Sequence, residues 1–235
     1  MNKTKSAPMQ IPLQFGNFQN YSFESYLTEQ HDELIQLLIN IAKGDQINHL
    51  YLWGEEGCGK SHLLQAACHL AGNSQRQVAY IPLENLNDFS PEMLHDLGML
   101  DLVCVDSIEK ISANQQWQQS LVWLYNELRD QGNSIVIAGN EQPKTLPLKI
   151  EDLRSRLNWG LVYQVQSLSD ELKMQILKQK ALAHAFEIPD DVISYIMQRV
   201  ERDMHSLMTI FHKIDERSLA EKRKITIPFV KSILE

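Results

Sequence analysis

Short runs of apolar residues recur through the first two thirds of the chain, and each run has the length of a buried β-strand. The predicted strands span residues 49–53, 77–82, 102–106, 134–138 and 161–164. Apolar residues at helical spacing predict helices over residues 29–43, 60–70 and 115–129. Strands that are apolar almost throughout, alternating with helices, indicate an α/β fold in which helices cover both faces of a parallel sheet.

From Ser169 onwards the pattern contains only helical segments. They span residues 170–185, 190–200, 203–221 and 228–234. Ser169 or Asp170 is suited to cap the first of these helices, and Pro189 and Pro228 stand at the start of the second and the fourth. We therefore divide the chain into a flexible arm (residues 1–20), an α/β core (21–166) and a small all-helical domain (167–235).

The composition is typical of a folded protein from a reducing compartment. Hydrophobic residues make up 43% of the chain, as in ordinary globular proteins. The three cysteines lack the spacing of metal ligands, so we expect no disulfide framework and a cytoplasmic location. No apolar run approaches the roughly 18 residues of a membrane span, so we expect no membrane partner. The net charge of −8 argues against a broad grip on nucleic acid, and we expect any DNA contact to be indirect or weak.

The strongest chemical signal is the segment 54–61, GEEGCGKS, which has the spacing G-x-x-x-x-G-K-S/T of a phosphate-binding loop. Its glycines let backbone N–H groups converge on phosphate oxygens, Lys60 can reach the β- and γ-phosphates, and Ser61 can ligate Mg²⁺. A strand precedes the segment and a helix follows it, as the motif requires. The predicted nucleotide site, for ADP or ATP with Mg²⁺, contains Gly54, Gly57, Cys58, Gly59, Lys60, Ser61 and His62.

Two further polar residues follow apolar strands. Asp106 ends the third strand, where a phosphate-loop sheet holds its Mg²⁺-orienting aspartate. Asn140 follows the fourth strand and can reach a γ-phosphate or the attacking water, although an Asn is also common in turns. The residue after Asp106 is Ser107, which cannot act as a carboxylate base, and Glu109 lies two positions further on. We therefore expect weak or absent intrinsic ATP hydrolysis.

The polar arm contains one compact apolar insertion, the segment 10–15, QIPLQF. An isolated apolar peptide on a disordered tail cannot bury itself, which makes it a candidate docking motif. The alternative is that Leu13 and Phe15 fold back onto the chain's own core. The composition does not decide between these two interpretations.

Taken in order, Tyr21 and Phe23, the phosphate loop, Asp106, Asn140 and the segment 155–160 (SRLNWG) resemble the AAA+ core of the bacterial replication initiator DnaA. From about residue 10 to residue 235 the chain resembles more closely the Hda family, the DnaA-related AAA+ regulators that inactivate the initiator. The 10–15 segment resembles that family's peptide for the DNA polymerase sliding clamp. No DNA-binding helix-turn-helix follows the helical domain, and residues 224–231 (KITIPFVK) resemble the family's C-terminus.

The resemblance assigns roles to individual residues. Arg156 corresponds to an arginine finger that acts in trans on a neighbour's γ-phosphate, and we interpret Arg154 as a solvated side chain. Arg202 corresponds to an arginine of the lid, as the helical domain is called in this family, that faces the nucleotide. Tyr21 and Phe23 correspond to aromatic residues near the nucleotide base, although core packing would explain them as well. The residues implied for clamp binding are Gln10, Leu13 and Phe15.

The resemblance thus implies an AAA+ adaptor that docks on the sliding clamp and stimulates ATP hydrolysis by the initiator DnaA. This activity would prevent re-initiation of DNA replication in the bacterial cytoplasm. Two alternatives stay open: an autonomous AAA+ ATPase such as a helicase loader, and a degenerate initiator fragment without clamp contact. The sequence also leaves open a homo-oligomer, in which identical subunits would occlude Arg156.

Overall fold

The computed structural model describes residues 21–24, 26, 32–46, 49–221 and 223–234. The predicted clamp-binding residues Gln10, Leu13 and Phe15 lie outside the described residues. The strands are β1 (His49–Trp53), β2 (Val78–Pro82), β3 (Leu102–Asp106), β4 (Ser134–Gly139) and β5 (Leu161–Gln164). The helices are α1 (Asp32–Lys43), α2 (Lys60–Asn73), α3 (Gln115–Asp130), α4 (Glu151–Trp159), α5 (Asp170–Ala183), α6 (Asp190–Arg199), α7 (Met204–Glu221) and α8 (Ile227–Leu234).

The five strands form one parallel sheet in the order β2-β3-β4-β1-β5. In its register Trp53 of β1 stands opposite Gly139 of β4, and Pro82 of β2 stands opposite Asp106 of β3. The carboxyl ends of β1, β3 and β4 therefore meet at one edge of the sheet, where ligands bind in open α/β folds. This edge carries the phosphate loop, Asp106 and Asn140.

Helices cover both faces of the sheet, which explains why the strands are apolar almost throughout. Alternate residues of β3 enter different cores: Leu102 and Cys104 pack with α1 and α2, whereas Val103 and Val105 pack with α3 and α4. All five residues of β3 are buried. The predicted α/β fold with helices on both faces is confirmed.

The helices α5 to α8 form a separate apolar core around Phe211 and Phe229. Ser169 caps α5, because its Oγ accepts a hydrogen bond from the N–H of Leu172 at 3.2 Å. Pro189 directly precedes α6, and Pro228 is the second residue of α8. The all-helical domain is thus confirmed, while its boundary at residue 167 stays a prediction.

The sequence pattern does not predict α4, the helix that carries Arg154 and Arg156. Of its nine residues only Leu153 and Leu157 are buried, so the helical signal is weak. Among the described residues, no helix combines the length and the apolar character that crossing a membrane requires.

Candidate functional site

The phosphate loop connects β1 to the N-terminus of α2, and its backbone needs glycine at specific positions. Gly57 has φ 74° and Gly59 has φ 101°, a left-handed conformation that other residues adopt only at a cost. A Cβ on Gly59 would lie 2.7 Å from Cε2 of Tyr26, and one on Gly54 would lie 2.2 Å from the carbonyl oxygen of Val165. The loop is therefore a cradle without side chains, followed by a helix N-terminus, and it fits a phosphate group.

Lys60 is the buried cation of this cradle, with only 7% of its surface exposed. Its Nζ donates hydrogen bonds to the carbonyl oxygens of Gly54 at 2.7 Å and Glu55 at 2.8 Å. The loop thus surrounds the ammonium group with oxygen acceptors. A phosphate oxygen bound in the loop would accept a hydrogen bond from Nζ in the way these carbonyl oxygens do. Burial raises the pKa of the neighbouring Cys58 thiol, although the charge of Lys60 opposes this shift.

Asp106 lies at the end of β3 and is 4% exposed. Its Oδ2 accepts a hydrogen bond from the hydroxyl of Tyr80 at 2.7 Å. Burial, and then the charge of Asp106, raises the pKa of Tyr80, so this hydroxyl stays protonated and serves as the donor. Ser61 is exposed in the first turn of α2. The Asp106 carboxylate and the Ser61 hydroxyl are the hard oxygen ligands that Mg²⁺ prefers, so these two residues fit the metal.

A second carboxylate, that of Glu109, lies at the same edge of the sheet. Ser107 has φ 62°, and a short 3-10 turn follows it. Within that turn Oε2 of Glu109 accepts a hydrogen bond from the N–H of Asn140 at 3.2 Å. Burial raises the pKa of the Glu109 carboxyl, and the positive charge of Lys60 acts in the opposite direction. The sequence pattern does not place Glu109 in the site, yet its carboxylate lies at the end of β4, where the charge of Lys60 acts on it.

The aromatic residues before α1 surround His62, which is in the first turn of α2. The rings of Tyr21 and Tyr26 lie 5.3 and 5.4 Å from the His62 ring, and Nε2 of His62 is 3.0 Å from the carbonyl oxygen of Ser22. Burial lowers the pKa of His62, and the charge of Lys180 on α5 lowers it further. Phe23 is half-buried against the core between α1, α2 and the sheet. For Phe23 the structure therefore favours core packing, the second of the two interpretations.

The helical domain reaches the phosphate loop through the start of α7. A Cβ on Gly57 would lie 2.9 Å from Cβ of Asp203 and 3.0 Å from the N atom of Met204. The neighbouring Arg202 donates from Nη1 to Oδ2 of Asp170 at 2.6 Å and from Nε to the carbonyl oxygen of Met197 at 3.1 Å. Arg202 thus directly precedes the residue that approaches the loop, but its guanidinium group pairs within the helical domain, and its side chain is 58% exposed.

Arg156 lies in the last turn of α4, which packs on the sheet face opposite to α2. Its Nε donates to Oδ1 of Asn126 on α3 at 2.8 Å, and its Nη1 donates to the carboxylate of Asp152. The side chain is 17% exposed, so the guanidinium group is partly covered but still reaches the surface.

The interpretation of Arg154 as a solvated side chain is wrong. Its Nη2 donates to the carbonyl oxygen of Leu148 at 2.7 Å, and its Nη1 pairs with the carboxylate of Glu151. Arg154 therefore fixes the segment between β4 and α4. This contact could not be predicted, because the two ends of the bond belong to a loop and to a helix that the sequence pattern does not indicate.

Comparison with known families divides the chain at the same place as the structure does. The family model of the bacterial DnaA ATPase domain matches residues 18–164. The family model described as the lid domain of Hda matches residues 170–234. The two matches coincide with the α/β core and with the helices α5 to α8.

Solved structures of three AAA+ proteins share the fold. Domain III of the Thermotoga maritima replication initiation protein DnaA superposes with a TM-score of 0.78 at 23% identity, covering 89% of this chain and 93% of that one. AMPPCP-bound DnaA from Aquifex aeolicus gives 0.67 at 22% identity, covering 86% and 69%. The Thermotoga maritima RuvB Holliday junction branch migration motor gives 0.67 at 17% identity, covering 92% and 71%. At these identities the likeness establishes the fold alone.

Proposed function

Because the chain belongs to the family of the bacterial DnaA ATPase domain and ends in an Hda-type lid domain, we propose that it is a nucleotide-bound adaptor that stimulates ATP hydrolysis by the initiator DnaA. It docks on the DNA polymerase sliding clamp through its arm and offers Arg156 to the nucleotide of the initiator. Hydrolysis of the initiator's ATP then prevents re-initiation of DNA replication in the bacterial cytoplasm.

The chain's own nucleotide has a structural role in this proposal. AMPPCP, an adenine nucleotide analogue, is bound in the related Aquifex aeolicus structure, and we assign ADP or ATP with Mg²⁺ to this site. Bound nucleotide supplies a polyphosphate anion that bridges the loop and the lid. Gly57, Gly59 and Lys60 hold the phosphates, Ser61 and Asp106 hold the metal, and Asp203 and Met204 bring the lid against the loop.

Support for action in trans comes from the position of Arg156. The phosphate loop leads into α2 on one face of the sheet, whereas α4 belongs to the layer on the other face. The guanidinium group of Arg156 therefore does not line the cradle of its own chain. A planar cation can stabilise the charge that develops on a transferred γ-phosphoryl group, and such fingers contribute about 10³ to 10⁵ in rate.

The proposal rests on one observation. Arg156 reaches the surface of a chain that combines a DnaA-type ATPase domain with an Hda-type lid domain. The test is ATP hydrolysis by the initiator in the presence of the chain, DNA-loaded clamp and DNA, with each component omitted in turn. We expect stimulation by the wild-type chain and its loss with Arg156→Ala. Arg199→Ala, which removes an exposed arginine from α6, is the charge-matched control and retains stimulation.

Clamp docking is tested in the same assay. A variant with Gln10→Ala and Leu13→Ala is expected to lose both clamp binding and clamp-dependent stimulation. Gln14→Ala is the matched control, because residue 14 departs from the usual clamp-peptide pattern. Binding retained by the double variant would refute the assignment of the arm.

One observation favours the alternative of an autonomous ATPase. Ser107 offers no carboxylate, but Glu109 places one beside the backbone of Asn140 and in the field of Lys60. A base at that position would support hydrolysis by the chain alone. The chain assayed without initiator distinguishes the two functions: the adaptor turns over little ATP alone, whereas an autonomous motor turns over ATP at an enzymatic rate and responds to DNA.

A further inference from the structure

Arg156 is held along one edge of its guanidinium group by two different helices. Nε donates to Oδ1 of Asn126, on α3, at 2.8 Å. Nη1 donates to the carboxylate of Asp152, one turn earlier on α4, and to the carbonyl oxygen of the same residue at 3.4 Å. A long side chain that would otherwise sample many rotamers is therefore fixed in one direction.

These contacts leave one end of the guanidinium group available. A guanidinium group has five N–H donors, and the contacts above use Nε and Nη1. Within the part of the chain that the structure describes, Nη2 donates no hydrogen bond. With 17% of the side chain exposed, Nη2 is the donor that remains for a phosphate oxygen of another molecule.

We infer that Asn126 and Asp152 are positioning residues, which hold Arg156 so that Nη2 meets the γ-phosphate on the neighbouring initiator. This inference rests on the proposed function. Hydrogen-bond donors that are already oriented stabilise the charge that develops in a transition state. They lower the barrier effectively because they need no reorganisation during the reaction. Asn126 and Asp152 do not touch the nucleotide; they act through Arg156.

The two residues differ in charge, which makes Asn126 the sharper test. The Asn126 amide fixes the direction of Nε without neutralising the cation. The Asp152 carboxylate also fixes the guanidinium group, but its negative charge opposes the attraction of the finger for phosphate. Asp152 is 54% exposed, so water screens part of that opposing charge.

The experiment measures hydrolysis of ATP by the initiator, with DNA-loaded clamp, as a function of the concentration of the chain. It uses the full chain as wild type and as the variants Asn126→Ala, Asn126→Asp, Asp152→Asn and Arg156→Ala. Gln119→Ala, at an exposed position of the same helix α3, is the matched control. Thermal unfolding of each variant shows whether it is folded.

We expect Asn126→Ala to lower the maximal stimulated rate by about tenfold or more. Misplacing a catalytic group by an ångström can lower a rate by ~100-fold, so the expected loss is within that limit. The concentration for half-maximal stimulation should stay the same, because in this proposal Asn126 acts only through Arg156. Asp152→Asn keeps an acceptor and should retain at least most of the rate. Asn126→Asp keeps the acceptor but adds a negative charge, so its rate should lie between those of Asn126→Ala and the wild type.

The outcomes separate the inference from the proposed function. If Arg156→Ala stimulates like the wild type, the proposed function fails. If Arg156→Ala is inactive but Asn126→Ala keeps the maximal rate, only the positioning role is refuted. A loss with Asn126→Ala that Asn126→Asp does not even partly rescue refutes it as well, because such a loss does not come from the missing acceptor for Nε of Arg156.

Discussion

At the scale of single residues, the phosphate loop depends on backbone conformations that favour glycine, with φ 74° at Gly57 and 101° at Gly59. These glycines and Lys60 lie where the motif places them, because the motif itself encodes the backbone conformation. The bond between Glu109 and Asn140 depends on the left-handed conformation of Ser107. No sequence rule indicates φ > 0 for a serine, so this contact appears only in the structure.

Replacing Gly59 with alanine should destabilise the fold and weaken nucleotide binding together. Its φ of 101° is unfavourable for alanine, and the new Cβ would meet the Tyr26 ring at 2.7 Å. We expect a loss of at least about 1–2 kcal/mol in the free energy of unfolding, the cost of a left-handed residue. Chemical denaturation and titration with ADP measure the two effects.

Gly72→Ala is the matched control for this prediction. Gly72 is in α2, and a Cβ there meets nothing within 4 Å. In an open helical position alanine is favoured over glycine by about 1 kcal/mol, so this variant should be as stable as the wild type or more so. Equal effects of the two substitutions would contradict the role assigned to the loop backbone.

At the scale of elements, the sequence predicts long apolar segments well and short amphipathic ones poorly. β1 and β3 have the predicted bounds, because a strand buried on both faces is marked by an apolar run. β5 also has the predicted bounds, although it lies at the edge of the sheet and its residues are largely exposed. The helix predicted over residues 60–70 continues to Asn73, and α4 is missing from the prediction. Since α4 carries the proposed finger, the contacts of Arg156 with Asn126 and Asp152 could not be derived from the sequence.

The start of α5 offers a test of an element that the sequence does predict. Ser169→Ala removes the side-chain acceptor for the N–H of Leu172 and leaves that donor without its cap. We expect a loss of about 1 kcal/mol in the free energy of unfolding, as for other N-cap serines. Chemical denaturation is the measurement, with Ser194→Ala on the exposed side of α6 as the control. If both variants were equally stable, the cap would contribute nothing.

At the scale of the whole molecule, the proposed adaptor role rests on where the two domains lie. The start of α7 in the lid approaches the phosphate loop at Gly57, so in this proposal a bound nucleotide contacts both domains. The proposed finger lies on the other layer of the core. The net charge of −8 leaves the contacts with DNA to the clamp and the initiator in this account.

The most direct measurement asks whose triphosphate is cleaved. The initiator is loaded with ATP labelled at the γ-phosphate and freed of unbound nucleotide. It is then mixed with an excess of the chain, carrying unlabelled ADP, and with clamp on DNA. The release of labelled phosphate is followed over a single turnover.

The wild-type chain should accelerate this release by about 10³-fold or more, as arginine fingers do, and Arg156→Ala should not accelerate it. Equal acceleration by Arg156→Ala and the wild type would rule out Arg156 as a finger acting in trans. So would release that requires the labelled ATP to be loaded on the chain itself instead of on the initiator.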